Sequence, residues 1–115
     1  VIDNPQVKLH VIGFSQGVAT VSRWITMGNI QPQSLTLWAG VFPPDLDFDI
    51  QPAKLQQSLN YAVIGDEDQY LTTAEVQQQI DLLDQKGISC KLLTFSGTHD
   101  INKDILLQLK NKLVA

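Results

Sequence analysis

An apolar run, Val7-Lys8-Leu9-His10-Val11-Ile12, ends in Gly13-Phe14-Ser15-Gln16-Gly17, and an amphipathic segment begins at once. Few local arrangements accommodate that succession. A short, mostly apolar, β-branched run reads as a buried parallel strand over 7–12. The spacing of Val18, Val21 and Ile25 reads as one face of a helix over 16–27. Between them the chain must reverse within a Gly-x-Ser-x-Gly pattern. A turn that tight requires side chains two residues either side of its apex to be nearly absent, which Gly13 and Gly17 satisfy. Ser15 is then carried out above the strand end. The backbone N–H of Gln16 points toward whatever the hydroxyl attacks, at the positive end of the new helix. His10 falls about 15 Å below that apex at the usual strand rise and reads as a packed or hydrogen-bonded strand residue.

The rest of the chain alternates in the same way. Gly28-Asn29 stops the first helix and Pro32 prevents its resumption. Ser34 to Ala39 reads as a second strand closing on Gly40, with Trp38 in the core or walling a site at the strand end. Residues 41–60 are irregular, broken by Pro43, Pro44 and Pro52, with a short helix expected over 53–59. Asp45, Asp47 and Asp49 alternate there, but no glycine turn or terminal Glu stands at calcium-loop spacing. Asn60 to Ile64 reads as a third strand entering Gly65-Asp66-Glu67-Asp68. Thr72 and Glu75 form a capping box for a helix that stops at Lys86-Gly87. Lys91 to Phe95 reads as a fourth strand, opened by Cys90 as a core residue. Ser96-Gly97-Thr98-His99-Asp100 leads into a last helix with Ile101, Ile105, Leu109 and Leu113 on one face. The order β-α-β-loop-β-α-β-α predicts an α/β fold, a parallel sheet flanked by helices, as one domain over 1–115.

Composition narrows the function classes. The 115 residues carry a net charge of −4 with the acidic groups dispersed, which argues against a nucleic-acid or anionic-membrane surface. No apolar run approaches the ~18 residues of a membrane span. The single cysteine excludes an internal disulfide and fits a reducing, cytoplasmic setting. Two histidines and one cysteine make a poor metal-ligand set, so no metal and no cofactor are expected. The first residue is Val, which suggests that the sequence is part of a longer product.

Sites in open parallel sheets form at the carboxyl ends of the strands. Three such ends carry groups that could cooperate: Ser15, the Asp66–Asp68 loop, and His99. A serine hydroxyl is nearly inert at neutral pH and needs a base. An imidazole, with an ordinary pKa of about 6.5, is suited to that task. A carboxylate must then fix the tautomer of the imidazole and stabilise its charged form. Asp66, Glu67 and Asp68 all stand in the right loop. Asp66 could cap the turn, and Asp68 lies far enough along to reach His99.

At these residues the chain resembles the phospholipase/carboxylesterase group of α/β-hydrolases, which includes the acyl-protein thioesterases. Gly13-Phe14-Ser15-Gln16-Gly17 is similar to their nucleophile elbow, Gly65-Asp66-x-Asp68 to their acid loop, and Gly97-Thr98-His99 to their histidine loop. The resemblance covers roughly residues 7–113, the carboxyl-terminal part of such a fold, without its amino-terminal strands. It implies Asp68 as the triad acid and Asp66 as structural. The chain departs from the group in two places: Val18 stands where many members have a second glycine, and Gln69-Tyr70-Leu71-Thr72 stands where a Val-Pro pair is common. The strands that precede the elbow in the family carry a second oxyanion donor, a role that no residue here fills.

The expected activity is hydrolysis of a carboxylic ester or thioester through an acyl-enzyme. Ser15 is the expected nucleophile, His99 the base, Asp68 the acid and the Gln16 N–H an oxyanion donor. Phe14, Val41 and Phe42 are expected to border the acyl pocket, and the loop 41–48 to wall it. The rival expectations are an assembly module that dimerises through an uncovered first strand, and a peptidase or lactonase on the same fold.

Overall fold

The computed structural model describes residues 8–28, 30–43 and 52–114. Its elements run β1 (His10–Phe14), α1 (Gly17–Met27), β2 (Ser34–Trp38), α2 (Pro52–Gln57), β3 (Leu59–Gly65), α3 (Thr73–Gln85), β4 (Cys90–Phe95) and α4 (Lys103–Val114). The strands are all parallel and lie side by side in chain order.

Register and pleat sort the core into two layers. Alternate residues of a strand face opposite ways. Leu35 and Leu37 of β2 therefore share a face with Val11 of β1, and Trp38 shares the other with Val63 and Tyr61 of β3. Val18 and Ile25 of α1, Leu55 of α2 and Leu83 of α3 close over the first face. Ile105 and Leu109 of α4 join Trp38, Tyr61 and Val63 on the second. β2 is paired on both edges and covered on both faces, so all five of its residues are buried.

Local chemistry fixes where the helices begin and end. Thr72 Oγ1 accepts from the Glu75 N–H at 3.1 Å, and Glu75 Oε1 accepts from the Thr72 N–H at 3.3 Å, a complete capping box on α3. Gly87, at φ +76°, turns the chain out of α3. Lys54 Nζ donates to the carbonyls of Ile25, at 2.9 Å, and Gly28, which ties α2 to the carbonyl end of α1.

Several expectations are corrected. The first strand occupies 10–14 rather than 7–12, because its ladder with Ser34–Trp38 continues to Phe14; residues 1–7 lie outside the described residues. Ile12 is 44% exposed, because β1 is an edge strand of the described sheet. With Leu106, Leu107 and Leu113 it lines a groove of about 320 Å³. Ile101 does not extend the apolar face of α4: it is exposed, and the helix starts after Asn102, whose Oδ1 accepts the Ile105 N–H at 3.0 Å. His10 Nδ1 lies 2.7 Å from Ser34 Oγ on the neighbouring strand. Burial pushes the Cys90 thiol up to about 12, and the residue packs against both core clusters. The aspartates at 45, 47 and 49 lie outside the described residues.

One core group is unsatisfied. Thr36 is fully buried in β2, and its Oγ1 has no hydrogen-bond partner among the described residues. An unpaired buried hydroxyl costs about 1–3 kcal/mol. Thr36→Val keeps the shape and the β-branch while removing that group. It is expected to raise unfolding free energy by about 1 kcal/mol, read from urea denaturation at an unchanged m-value.

Candidate active site

Ser15 sits where β1 gives way to α1, with φ +56°, a conformation disfavoured for any residue with a Cβ. Two features hold it there. Its N–H donates to Trp38 O at 2.8 Å, and its carbonyl accepts from the Val18 N–H at 3.1 Å. Left-handed backbone at a non-glycine residue costs about 1–3 kcal/mol and persists only where its surroundings over-determine it.

The glycines around this turn differ in purpose. A Cβ on Gly13 would lie 2.7 Å from Val21 Cγ2 and 2.9 Å from Gly17 O and Val18 Cα, so its bareness lets α1 fold back against β1. A Cβ on Gly40 would lie 2.7 Å from both Ser15 O and Val18 Cγ2, so the end of β2 is also cut away to admit the turn. A Cβ on Gly17 meets nothing within 4 Å. The expectation that the turn needs both flanking glycines is therefore corrected: crowding comes from the Gly13 side, and Gly17 faces open space.

The acid and histidine loops are laced to each other. Asp66 Oδ1 accepts the Gly97 N–H at 3.1 Å, the Asp66 N–H donates to Phe95 O at 2.9 Å, and the Glu67 N–H donates to Gly97 O at 2.8 Å. Gly65 ends β3 beneath the histidine loop, and a Cβ there would lie 2.6 Å from Thr98 O. The buried Trp38 indole N–H donates to Asp100 O at 3.0 Å from below.

On this frame three side chains meet. His99 Nε2 lies 2.8 Å from Ser15 Oγ, and its Nδ1 lies 2.7 Å from Asp68 Oδ2. The Asp68 side chain has no exposed surface and that of His99 is 16% exposed. Asp68 Oδ1 accepts from the N–H groups of Tyr70 at 2.8 Å and Leu71 at 3.0 Å. Burial pushes the Asp68 carboxyl upward. The hydrogen bonds from His99, Tyr70 and Leu71, with the attraction of the imidazole charge, outweigh that effect and hold it below its ordinary value. The imidazole is flanked by two rings, Phe14 at 5.3 Å and Tyr70 at 4.8 Å between centroids.

The remaining residues singled out in the sequence lie as follows. Gln16 is exposed, and among the described residues its N–H donates to no backbone carbonyl. Phe42 is buried in the core beside α1, and its N–H donates to Gln79 Oε1 at 2.8 Å. Val41 lines a groove of about 500 Å³ along α3, with Glu75, Gln79 and Leu82, in which neither Ser15 nor His99 takes part. Residues 44–48 of the expected wall lie outside the described residues. Sequence reasoning missed Gly40 and Tyr70 as neighbours of the site, whereas Trp38, expected in the core or as a wall at the strand end, is buried and reaches the histidine loop through its indole. Only Tyr70 left a signal, as the departure from Val-Pro in the acid loop.

Two outcomes follow from this geometry. Gly13→Ala is expected to lose about 1–3 kcal/mol by forcing α1 off β1, and Gly17→Ala to be neutral or slightly stabilising, compared by thermal denaturation. A carboxyl whose folded pKa is depressed contributes stability above its unfolded value, about 3.9, and loses that contribution as pH falls through the folded value. Asp68→Asn should therefore flatten the acid limb of the stability–pH curve below about pH 4, measured by urea midpoints across pH.

No family profile and no curated protein matches the sequence. Solved structures do. Acyl-protein thioesterase 2 of Zea mays superposes with a TM-score of 0.76 at 18% identity, covering 97% of this chain and 57% of its own. SOBER1 of Arabidopsis thaliana gives 0.73 at 16%, with 91% and 51% covered. Esterase PE8 gives 0.66 at 19%, with 91% and 48% covered. The chain thus spans about half the length of these neighbours. At such identities the likeness is one of architecture, and the parallel sheet with its flanking helices is that of the α/β-hydrolase fold.

Proposed function

We propose that this chain carries the catalytic face of a serine esterase or thioesterase. The observation that carries the reading is the unbroken path Asp68 Oδ2–His99 Nδ1, His99 Nε2–Ser15 Oγ, at 2.7 and 2.8 Å, drawn from three segments far apart in sequence. Its setting at the carboxyl ends of parallel strands, and the esterases among the neighbouring folds, support it.

The chemistry follows from the groups. His99 Nε2 takes the Ser15 proton as Oγ bonds to the acyl carbon. The carbonyl oxygen becomes an oxyanion, which the Gln16 N–H, without a backbone acceptor among the described residues and at the start of α1, stabilises. The protonated imidazole is held by Asp68, which stays ionised because its own pKa is depressed. Nε2–H then protonates the leaving oxygen or sulfur as its bond to carbon breaks. Water, deprotonated by the same nitrogen, attacks the acyl-enzyme and returns Ser15 and a carboxylic acid. The reaction needs no cofactor. One oxyanion donor is assigned here. Loss of one donor from a two-donor oxyanion site costs about 10²–10³ in turnover.

An assembly module pairing through β1 retains one favourable observation, the exposed Ile12 on an edge strand. The test uses the full-length protein. A fluorophosphonate probe is expected to label it, to fail on Ser15→Ala, and to react with Asp68→Asn more slowly by on the order of 10⁴. Unlabelled full-length protein that scatters as a dimer would remove the hydrolase reading in favour of the assembly module.

A further inference from the structure

Tyr70 is the most exposed large apolar side chain of the described residues, at 74%, yet its ring rests edge-on against His99 at 4.8 Å and 63° between planes. An exposed aromatic with no role would be free to extend into solvent. This one turns to the imidazole from a backbone fixed beside the acid, its N–H donating to Asp68 Oδ1 at 2.8 Å. Phe14, on the other contact of the same imidazole, is half-buried and packed against the core. Of the two rings beside His99, Tyr70 is the one open to solvent over most of its surface.

The direction of the chemistry tells what would meet that face. In an acyl transfer run by Ser15 and His99, the carbonyl oxygen turns toward the Gln16 N–H. The leaving atom must come within hydrogen-bond reach of His99 Nε2, because that nitrogen supplies its proton. Whatever is attached to the leaving atom therefore lies beside the imidazole, where Tyr70 stands. A flat π-surface there favours another ring over a saturated group of equal size.

Resting on the serine-esterase reading, we propose that Tyr70 forms a leaving-group subsite selective for esters and thioesters whose alcohol or thiol part carries an aromatic ring next to the scissile bond. The ring is bound in the ground state and through the transfer, and it departs with the protonated oxygen or sulfur. No atom of Tyr70 enters the bond changes.

The test compares benzyl acetate with cyclohexylmethyl acetate on the full-length protein. The two have leaving groups of matched size and differ in having or lacking a π-face. The wild-type protein is expected to prefer the benzyl ester in kcat/KM by about 2- to 10-fold. Tyr70→Phe should keep that preference, while Tyr70→Leu and Tyr70→Ala should bring the ratio close to one. All three variants keep the backbone N–H on Asp68, and the exposed position makes their folding secure, checked by melting temperature. If Tyr70→Leu instead lowers both esters equally and shifts the pH–rate profile, the ring only steadies His99 and the subsite is overturned. Fluorophosphonate labelling separates the two levels of failure. A protein that is labelled but shows the same ratio with and without Tyr70 loses the subsite alone. A protein that is never labelled loses the hydrolase reading and the subsite with it.

Discussion

Three backbone hydrogen bonds at the carboxyl rim of the sheet govern everything built above it. The Ser15 N–H donates to Trp38 O at 2.8 Å, the Ala39 N–H to Val63 O at 2.7 Å, and the Asp66 N–H to Phe95 O at 2.9 Å. Each carries the parallel ladder one rung past the end of a strand, stepping from β1 to β2, β2 to β3, and β3 to β4. The first two hold non-glycine residues, Ser15 and Ala39, at φ +56°. A loop that merely followed its own preferences would not keep two such residues. A sheet edge that needs its last N–H groups paired can hold them, because an unpaired buried donor costs as much as the strain, about 1–3 kcal/mol. The rim is rigid for the same reason that the sheet is.

Above that rim the lacing is polar and local. Asp66 uses its side chain on Gly97 and its backbone on Phe95, so the acid loop and the histidine loop move as one body. Trp38 joins the remaining segment to them: its carbonyl holds the Ser15 N–H and its indole holds the Asp100 carbonyl. A fully buried side chain in the central layer thus relates the hydroxyl on β1 to the imidazole after β4. The roles of the two aspartates separate on the same grounds. Asp66 is exposed and spends its carboxylate on loop geometry, whereas Asp68 is withdrawn from water and held ionised by two backbone N–H groups and the imidazole.

What the sequence revealed and what it hid divide by range. Elements set by local chemistry were readable: the capping box at Thr72 and Glu75, the glycine that ends α3, the apolar spacing of α1, and the strand pattern that puts the α/β architecture on view. The segments bearing Ser15, Asp68 and His99 could be marked because each follows a strand, and parallel strands bring their ends to one rim. Features fixed by contacts across the fold were not readable. Nothing in Ala39 announces a left-handed backbone. The bareness of Gly40 matters only because Val18 and Ser15 arrive from another element. Gly17 looked as necessary as Gly13 by symmetry of the motif, but the turn is not symmetric in space. Ile101 fits the helical period of α4 and lies outside it, since Asn102 caps the helix at the Ile105 N–H and Trp38 holds the loop just before.

Topology sets a harder condition than any of these. Ser15 follows β1 and His99 follows β4, opposite edges of the described sheet. Three strand spacings separate them, about 14 Å. From Phe95 to His99 the chain has four residue steps, which span at most about 14 Å when extended. The side chains of Ser15 and His99 cover part of that distance, and the histidine loop, bent through 96–100 with the Asp100 N–H on Thr98 O at 2.9 Å, covers the rest as it crosses the end of β3 close above Gly65. That explains Gly65, where any Cβ would press on the Thr98 carbonyl, and Gly97, which lets the loop lie close to its own strand at Phe95. It also explains the Trp38 indole, which meets the loop at Asp100 as it passes. A slack loop would leave the imidazole free to choose among rotamers. This one, pinned at Gly97 and Asp100, delivers it to the hydroxyl at a fixed height, with the approach of the two groups decided by backbone and not by the 2.8 Å contact itself.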